Sequence, residues 1–156
     1  MIELSVVELG AGPTVVLDHG YIAPPSHLMP LARALAATHR VLVPDLPSYG
    51  QSPAVPGCQD LDVGIEALER AALSRTRGPT ALVGHSLGGY RVLAMAIRRR
   101  VEVSSLVTLG GMASSTEEMR AAFGGMATAL RAGPWRGGAR AHALPGLRPS
   151  APRGGS

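Results

Sequence analysis

Ser86 stands among glycines in Gly84-His85-Ser86-Leu87-Gly88-Gly89, after the short apolar run Ala81-Leu82-Val83 and before a long apolar-periodic stretch that starts at Tyr90. A strand that turns abruptly into a helix through small residues pushes the hydroxyl at the turn out above the sheet, over the helix N-terminus. This is what a nucleophile elbow needs, and its chemistry is acyl transfer: the serine oxygen attacks a carbonyl while N–H groups stabilise the negative charge that develops there. The bare pattern carries little weight in a chain with 20 glycines. Its strand-to-helix setting carries the inference. Phosphate-binding loops occupy similar junctions, but the chain has no G-x-x-x-x-G-K-[ST], no G-x-G-x-x-G and no lysine, which argues against nucleotide binding.

The elements that must position Ser86 are legible in the periodicity. Strand-like runs recur at Leu4-Leu9, Thr14-Leu17, Arg40-Val43, Thr80-Val83 and Val103-Leu109. From the second run on, a helix-like segment separates each from the next. The first helix is expected from about His27 to Ala37 with Ser26 as N-cap, and it tolerates Pro30 near its first turn. The second, about Leu61 to Thr76, has an apolar stripe at 61, 65, 68, 72 and 73 behind Asp60. The third runs from about Leu87 to Arg100, and its three terminal arginines suit the negative end of a helix. Alternating strands and helices predict an α/β fold with a mostly parallel sheet covered on both faces.

Composition sets the bounds. The chain of 156 residues is one domain's length, and 46% apolar residues suffice for a core. With one Trp, three Tyr and one Phe, that core must be built mainly from Val, Leu, Ile, Ala and Met. The net charge of +4 comes entirely from arginine, a bias that a GC-rich coding sequence explains as readily as a basic partner, so no nucleic-acid role is expected of Arg98-Arg99-Arg100. Cys58 is the single cysteine, no apolar run approaches a membrane span, and Met1-Ile2-Glu3-Leu4 has no basic leader. These features predict a cytoplasmic protein without a membrane partner. After about Leu130 the character changes: residues 131–156 hold six Gly, four Pro, five Arg and five Ala and no acid. The expected organisation is a partial domain over 1–130 and a disordered Gly/Pro/Arg/Ala-rich tail over 131–156.

Three motifs in order give the chain a family likeness. They are Leu17-Asp18-His19-Gly20-Tyr21, then Val43-Pro44-Asp45-Leu46-Pro47-Ser48-Tyr49-Gly50-Gln51-Ser52, then the elbow. Together they resemble the α/β-hydrolase superfamily in its esterase, lipase and haloperoxidase-like branch, over about residues 3 to 112. The first resembles the family's His-Gly loop after its third strand. The second resembles the D-x-x-G-x-G-x-S loop after its fourth, with Ser48 where the family has its first glycine. The resemblance implies a doubly wound, mostly parallel sheet, C-terminally truncated. It also implies Ser86 as nucleophile, the backbone N–H groups of Tyr21 and Leu87 as oxyanion hole, and His19, Gly20, Gly84, His85 and Gly88 as supporting residues. An acyl-enzyme route on an ester, thioester or related small acyl compound follows, with no metal or organic cofactor.

In the family the triad acid and base come after the sixth strand, in the order Ser, Asp/Glu, His. Here no Asp follows Asp62, and the only acids after Ser86 are Glu102, Glu117 and Glu118, the last two suited to a helix's first turn. His142 alone has the right order for a base, but no strand-like run is there to hold it. His19 and Asp45 read as loop-ordering residues, His27 and His39 as surface residues, and the His85 side chain as pointing away from Ser86. The base is therefore left unassigned. Low activity is expected, with a truncated or frameshifted silent product, or a non-catalytic small-molecule-binding or scaffolding module, as alternatives. An unpaired Val103-Leu109 edge would favour self-association.

Overall fold

Side-chain alternation along the strands builds two apolar layers, one on each face of a single sheet. A computed structural model describes residues 2–21, 23–58, 60–111, 116–118, 120–121 and 124–125. The expected tail at 131–156, with His142, lies outside the described residues. In chain order the elements are β1 (Val6–Leu9), β2 (Thr14–Asp18), α1 (Met29–Leu35), β3 (Arg40–Pro44), α2 (Leu61–Arg75), β4 (Thr80–His85), α3 (Leu87–Arg98) and β5 (Val103–Leu109). The sheet order is β1-β3-β2-β4-β5. Only β1 runs antiparallel to its neighbour.

On one face Val15 and Leu17 of β2 and Val41 and Val43 of β3 pack against Leu28 and Ala32. On the other, Val16, Leu42 and Leu82 pack against Ile65 and Leu68 of α2 and Val92 and Met95 of α3. Each such fully buried aliphatic side chain contributes roughly 1.5–3 kcal/mol relative to exposure. The strand period of two thus sends adjacent residues to opposite layers, and the doubly wound architecture follows.

Local chemistry corrects several boundaries. The first helix begins as a 3₁₀ turn over Pro25–Leu28, and no side chain caps it, so Ser26 is not the N-cap. With Pro24 and Pro25 fixing the entry, the chain winds tightly before Met29, and Pro30 falls in the first α turn, where its missing N–H costs nothing. Asp60 does cap α2, its carboxylate accepting from the Asp62 N–H at 2.9 Å. Leu73, expected on the buried stripe, is half exposed, whereas Glu69 is buried. Glu69 Oε2 is compensated by Arg98 Nη1 at 3.9 Å and Arg100 Nη1 at 3.3 Å. Helix α3 stops at Arg98 rather than Arg100, because Arg99 turns left-handed at φ 53°.

Among the described residues β5 forms one edge of the sheet, and Leu106, Val107 and Leu109 on it are exposed. Among the described residues no helix is long and apolar enough to cross a membrane.

Candidate active site

The β4–α3 junction is tight because only glycine fits around it. A Cβ on Gly84 would lie 2.3 Å from the Gly88 carbonyl oxygen, and one on Gly88 would lie 2.4 Å from the Asp18 carbonyl oxygen. Both obstacles are backbone and cannot rotate away. Between them Ser86 adopts φ 54° and ψ −119°, a conformation that L-residues rarely occupy and that tertiary contacts must enforce. The Ser86 N–H donates to the Leu109 carbonyl at 2.8 Å, and the Ser86 carbonyl accepts from Gly89 N–H at 2.9 Å. These two bonds tie the elbow to β5 and to the first turn of α3.

The β2 loop comes up against this elbow. An added Cβ on Gly20 would meet the Ser86 Cβ at 3.2 Å and His85 Nδ1 at 3.4 Å, so a side chain at 20 would crowd the serine. His85 is half-buried and its ring lies beside Gly20. Among the described residues, neither the Tyr21 nor the Leu87 N–H donates a hydrogen bond, and the Ser86 hydroxyl has no partner. Leu87 opens α3, where N–H groups lack intrahelical acceptors. A small crevice beside the elbow is lined by Tyr21, Leu46, Tyr49, Leu61, Leu87 and Arg91.

Behind the loop lies an ion pair that the sequence reading missed. Arg91 Nε donates to Asp18 Oδ2 at 2.7 Å and Arg91 Nη2 to Asp18 Oδ1 at 3.1 Å, with both side chains buried. The guanidinium also donates to the His19 carbonyl at 2.5 Å. A two-pronged pair of this kind is the strong form of a charge-assisted bond. The available signal was a lone charge at 91 within the apolar stretch of α3, and Asp18 at the end of an apolar strand.

His19 is fully buried. Its Nδ1 lies 2.8 Å from the Gly20 carbonyl oxygen, and its Nε2 accepts from the Leu46 N–H at 3.4 Å. A carbonyl can only accept and an amide N–H can only donate, which fixes the neutral tautomer with the proton on Nδ1. The ring also packs on Tyr49, with centroids 4.6 Å apart. Burial pulls the His19 pKa below 6.5, against the raising effect of Asp18, the Gly20 carbonyl and Asp45, with Arg91 adding to the lowering. The unfolded chain therefore takes up a proton on this residue at higher pH than the folded one. Stability should be full above about pH 6.5 and fall as the pH drops from there towards the lower folded value. Glu8, whose pKa is held below 4.5 mainly by its hydrogen bond from Arg40, titrates below this window. Urea unfolding at pH 7.5, 6.5 and 5.5 checks this, and His19→Asn should flatten the dependence.

The loop after β3 is built on Asp45. Its Oδ2 accepts from Gln51 N–H at 2.7 Å, and its carbonyl accepts from the Ser52 hydroxyl at 2.6 Å. Ser48 adopts φ 68° where the family motif has glycine, and its hydroxyl accepts from Val55 N–H at 3.1 Å, holding a turn that glycine would enter without strain. The Tyr49 hydroxyl donates to the Tyr21 carbonyl. Burial raises the Tyr49 pKa to about 12, so the phenol keeps its donor proton throughout the neutral range. His27 is exposed at the 3₁₀ turn, and His39 bonds the Thr38 hydroxyl away from the elbow.

Comparison with known proteins adds a lineage to this geometry. Residues 15–154 match the model of the alpha/beta hydrolase family. The pimeloyl-[acyl-carrier protein] methyl ester esterase of Vibrio atlanticus is 38% identical over 100 residues, covering 64% of this chain and 37% of that protein. The (E)-2-((N-methylformamido)methylene)succinate hydrolase of Acinetobacter baylyi is 27% identical over 126 residues, covering 81% of this chain and 48% of that protein. Among solved structures, a thermophilic esterase from Thermogutta terrifontis superposes with a TM-score of 0.72 at 29% identity, over 83% of this chain and 48% of that one. The chain thus spans half or less of the length of these relatives.

Proposed function

This chain belongs to the alpha/beta hydrolase family, and from that premise we propose that it is a serine hydrolase of small acyl compounds, an ester or thioester in the first instance. Ser86 is the nucleophile, and the N–H groups of Tyr21 and Leu87 form the oxyanion hole. The observation that carries this reading is the strained Ser86 turn with Gly20 against its Cβ, the Tyr21 and Leu87 N–H groups having no acceptor among the described residues. That the Vibrio relative is a methyl ester esterase supports the substrate class. Because nothing among the described residues accepts the Ser86 proton, the 156-residue chain works slowly on this reading.

The test is covalent. Prolonged exposure to a fluorophosphonate, followed by peptide mapping, should place the adduct on Ser86 and on no other serine, and Ser86→Ala should not form it. An adduct elsewhere, or none, refutes the assignment.

We further propose that the hydrolase portion lies within residues 1–130. A reducing, cytoplasmic setting is supported by the unpaired Cys58. Self-association through β5 is supported by its having β4 as its only strand neighbour among the described residues and by the exposure of Leu106, Val107 and Leu109. Sedimentation should show a concentration-dependent dimer that Val107→Lys shifts to monomer; a monomer at all concentrations would rule this out.

A further inference from the structure

Three successive carbonyls in the β2 loop are each claimed by a different side chain. The His19 carbonyl accepts from Arg91 Nη2 at 2.5 Å, the Gly20 carbonyl lies 2.8 Å from His19 Nδ1, and the Tyr21 carbonyl accepts from the Tyr49 hydroxyl. A trans peptide is planar, so the Gly20 carbonyl and the Tyr21 N–H point in opposite directions on one rigid unit. Fixing the first aims the second. The neighbouring peptides on both sides are held as well, which leaves this unit little freedom to rotate. The clamp is itself braced: His19 Nε2 accepts from Leu46 N–H at 3.4 Å, and the His19 and Tyr49 rings pack 4.6 Å apart. The loop carrying Tyr21 is thereby fastened to the loop after β3 and to α3, the helix that carries Leu87.

We propose that His19 and Tyr49 are positioning residues for acyl transfer, acting as a carbonyl clamp that keeps the Tyr21 N–H aimed at the oxyanion position before substrate arrives. This rests on the oxyanion-hole reading given above. An oxyanion hole works because its donors need no reorganisation as charge develops. A donor on a loop can meet that condition only if the loop is fixed, and here the fixing groups are the His19 imidazole and the Tyr49 phenol. Neither touches the reacting atoms. Both change how well one donor is placed, so their loss lowers turnover and leaves substrate binding unaltered.

Initial rates of p-nitrophenyl acetate hydrolysis by the full chain test the clamp, because a hole retains catalysis without a base. Tyr49→Phe keeps the ring contact and removes only the hydroxyl. It should lower kcat about tenfold with KM unchanged and the unfolding midpoint unmoved, short of the roughly 10²- to 10³-fold cost of removing a whole donor. His19→Asn, whose amide N–H can replace Nδ1, should keep more of kcat than His19→Phe, which keeps ring volume without a donor. A merely structural role would lower stability in both His19 variants without this ranking. If Tyr49→Phe is folded and its kcat equals that of the parent while the Ser86 adduct still forms, the clamp is wrong and the nucleophile assignment stands. If no adduct forms on Ser86 yet hydrolysis still depends on Tyr49, the clamp stands and the nucleophile assignment falls. Absence of any catalysed hydrolysis overturns the clamp, and absence of the Ser86 adduct as well overturns both.

Discussion

Hydrolysis of activated acyl esters by the 156-residue chain should exceed the uncatalysed rate by no more than about 10³- to 10⁴-fold. That is the residue of catalysis an oxyanion hole and a binding surface retain when a triad is incomplete. A serine hydroxyl whose proton has no acceptor is a weak nucleophile near neutral pH, and among the described residues the Ser86 hydroxyl has no hydrogen-bond partner. The covalent adduct, rather than the hydrolysis rate, is therefore the signature of Ser86, and it should accumulate over hours. Stopped-flow and manual assays with p-nitrophenyl acetate, alongside timed fluorophosphonate labelling, measure both. Labelling complete within minutes and lost in Ser86→Ala would overturn the expectation. It would require a base from outside the described residues, His142 or a group on a second copy of the chain being the candidates to mutate next.

Replacement of Arg91 by leucine should cost about 3–5 kcal/mol of folding stability, the usual penalty for stranding one partner of a buried ion pair. Asp18 is 1% exposed and Arg91 4%, so neither charge has water to fall back on. The same change strips the His19 carbonyl of its donor. Domains of this size are stable by only about 5–15 kcal/mol in total, so the variant should melt roughly 10 °C or more below the parent. Asp18→Asn combined with Arg91→Leu should recover much of the loss, because no unpaired charge remains. Circular dichroism melts of the two single variants and the double variant decide it. A single Arg91→Leu variant melting within a degree or two of the parent would show that the pair contributes nothing net.

The core was readable because burial leaves a periodic trace. Val15, Val16 and Leu17 had to divide between two faces once the run was a strand, and the stripe at 65, 68 and 72 had to face the sheet once the run was a helix. The trace fails where one face is only partly covered. Leu73 reads as core and is half exposed, while Glu69, outside that stripe, is buried under two arginines. Ser26 failed for a different reason: the 3₁₀ entry starts a residue earlier, behind Pro24, and the Met29 N–H is already taken by the Ser26 carbonyl.

The sequence by itself determined the order and type of the elements, the elbow at Ser86 and the family likeness. These depend on local periodicity and on positions where a Cβ cannot be accommodated, such as Gly84 and Gly88, and both leave marks within a few residues. Tertiary structure alone decided the Asp18–Arg91 pair, formed across 73 positions of chain, and the capture of the carbonyls of residues 19, 20 and 21 by Arg91, His19 and Tyr49. Hydrogen bonds and ion pairs between distant segments impose no period on the sequence. Which donor meets which carbonyl is fixed only when β2, β3 and α3 pack together and exclude the water that would otherwise satisfy them.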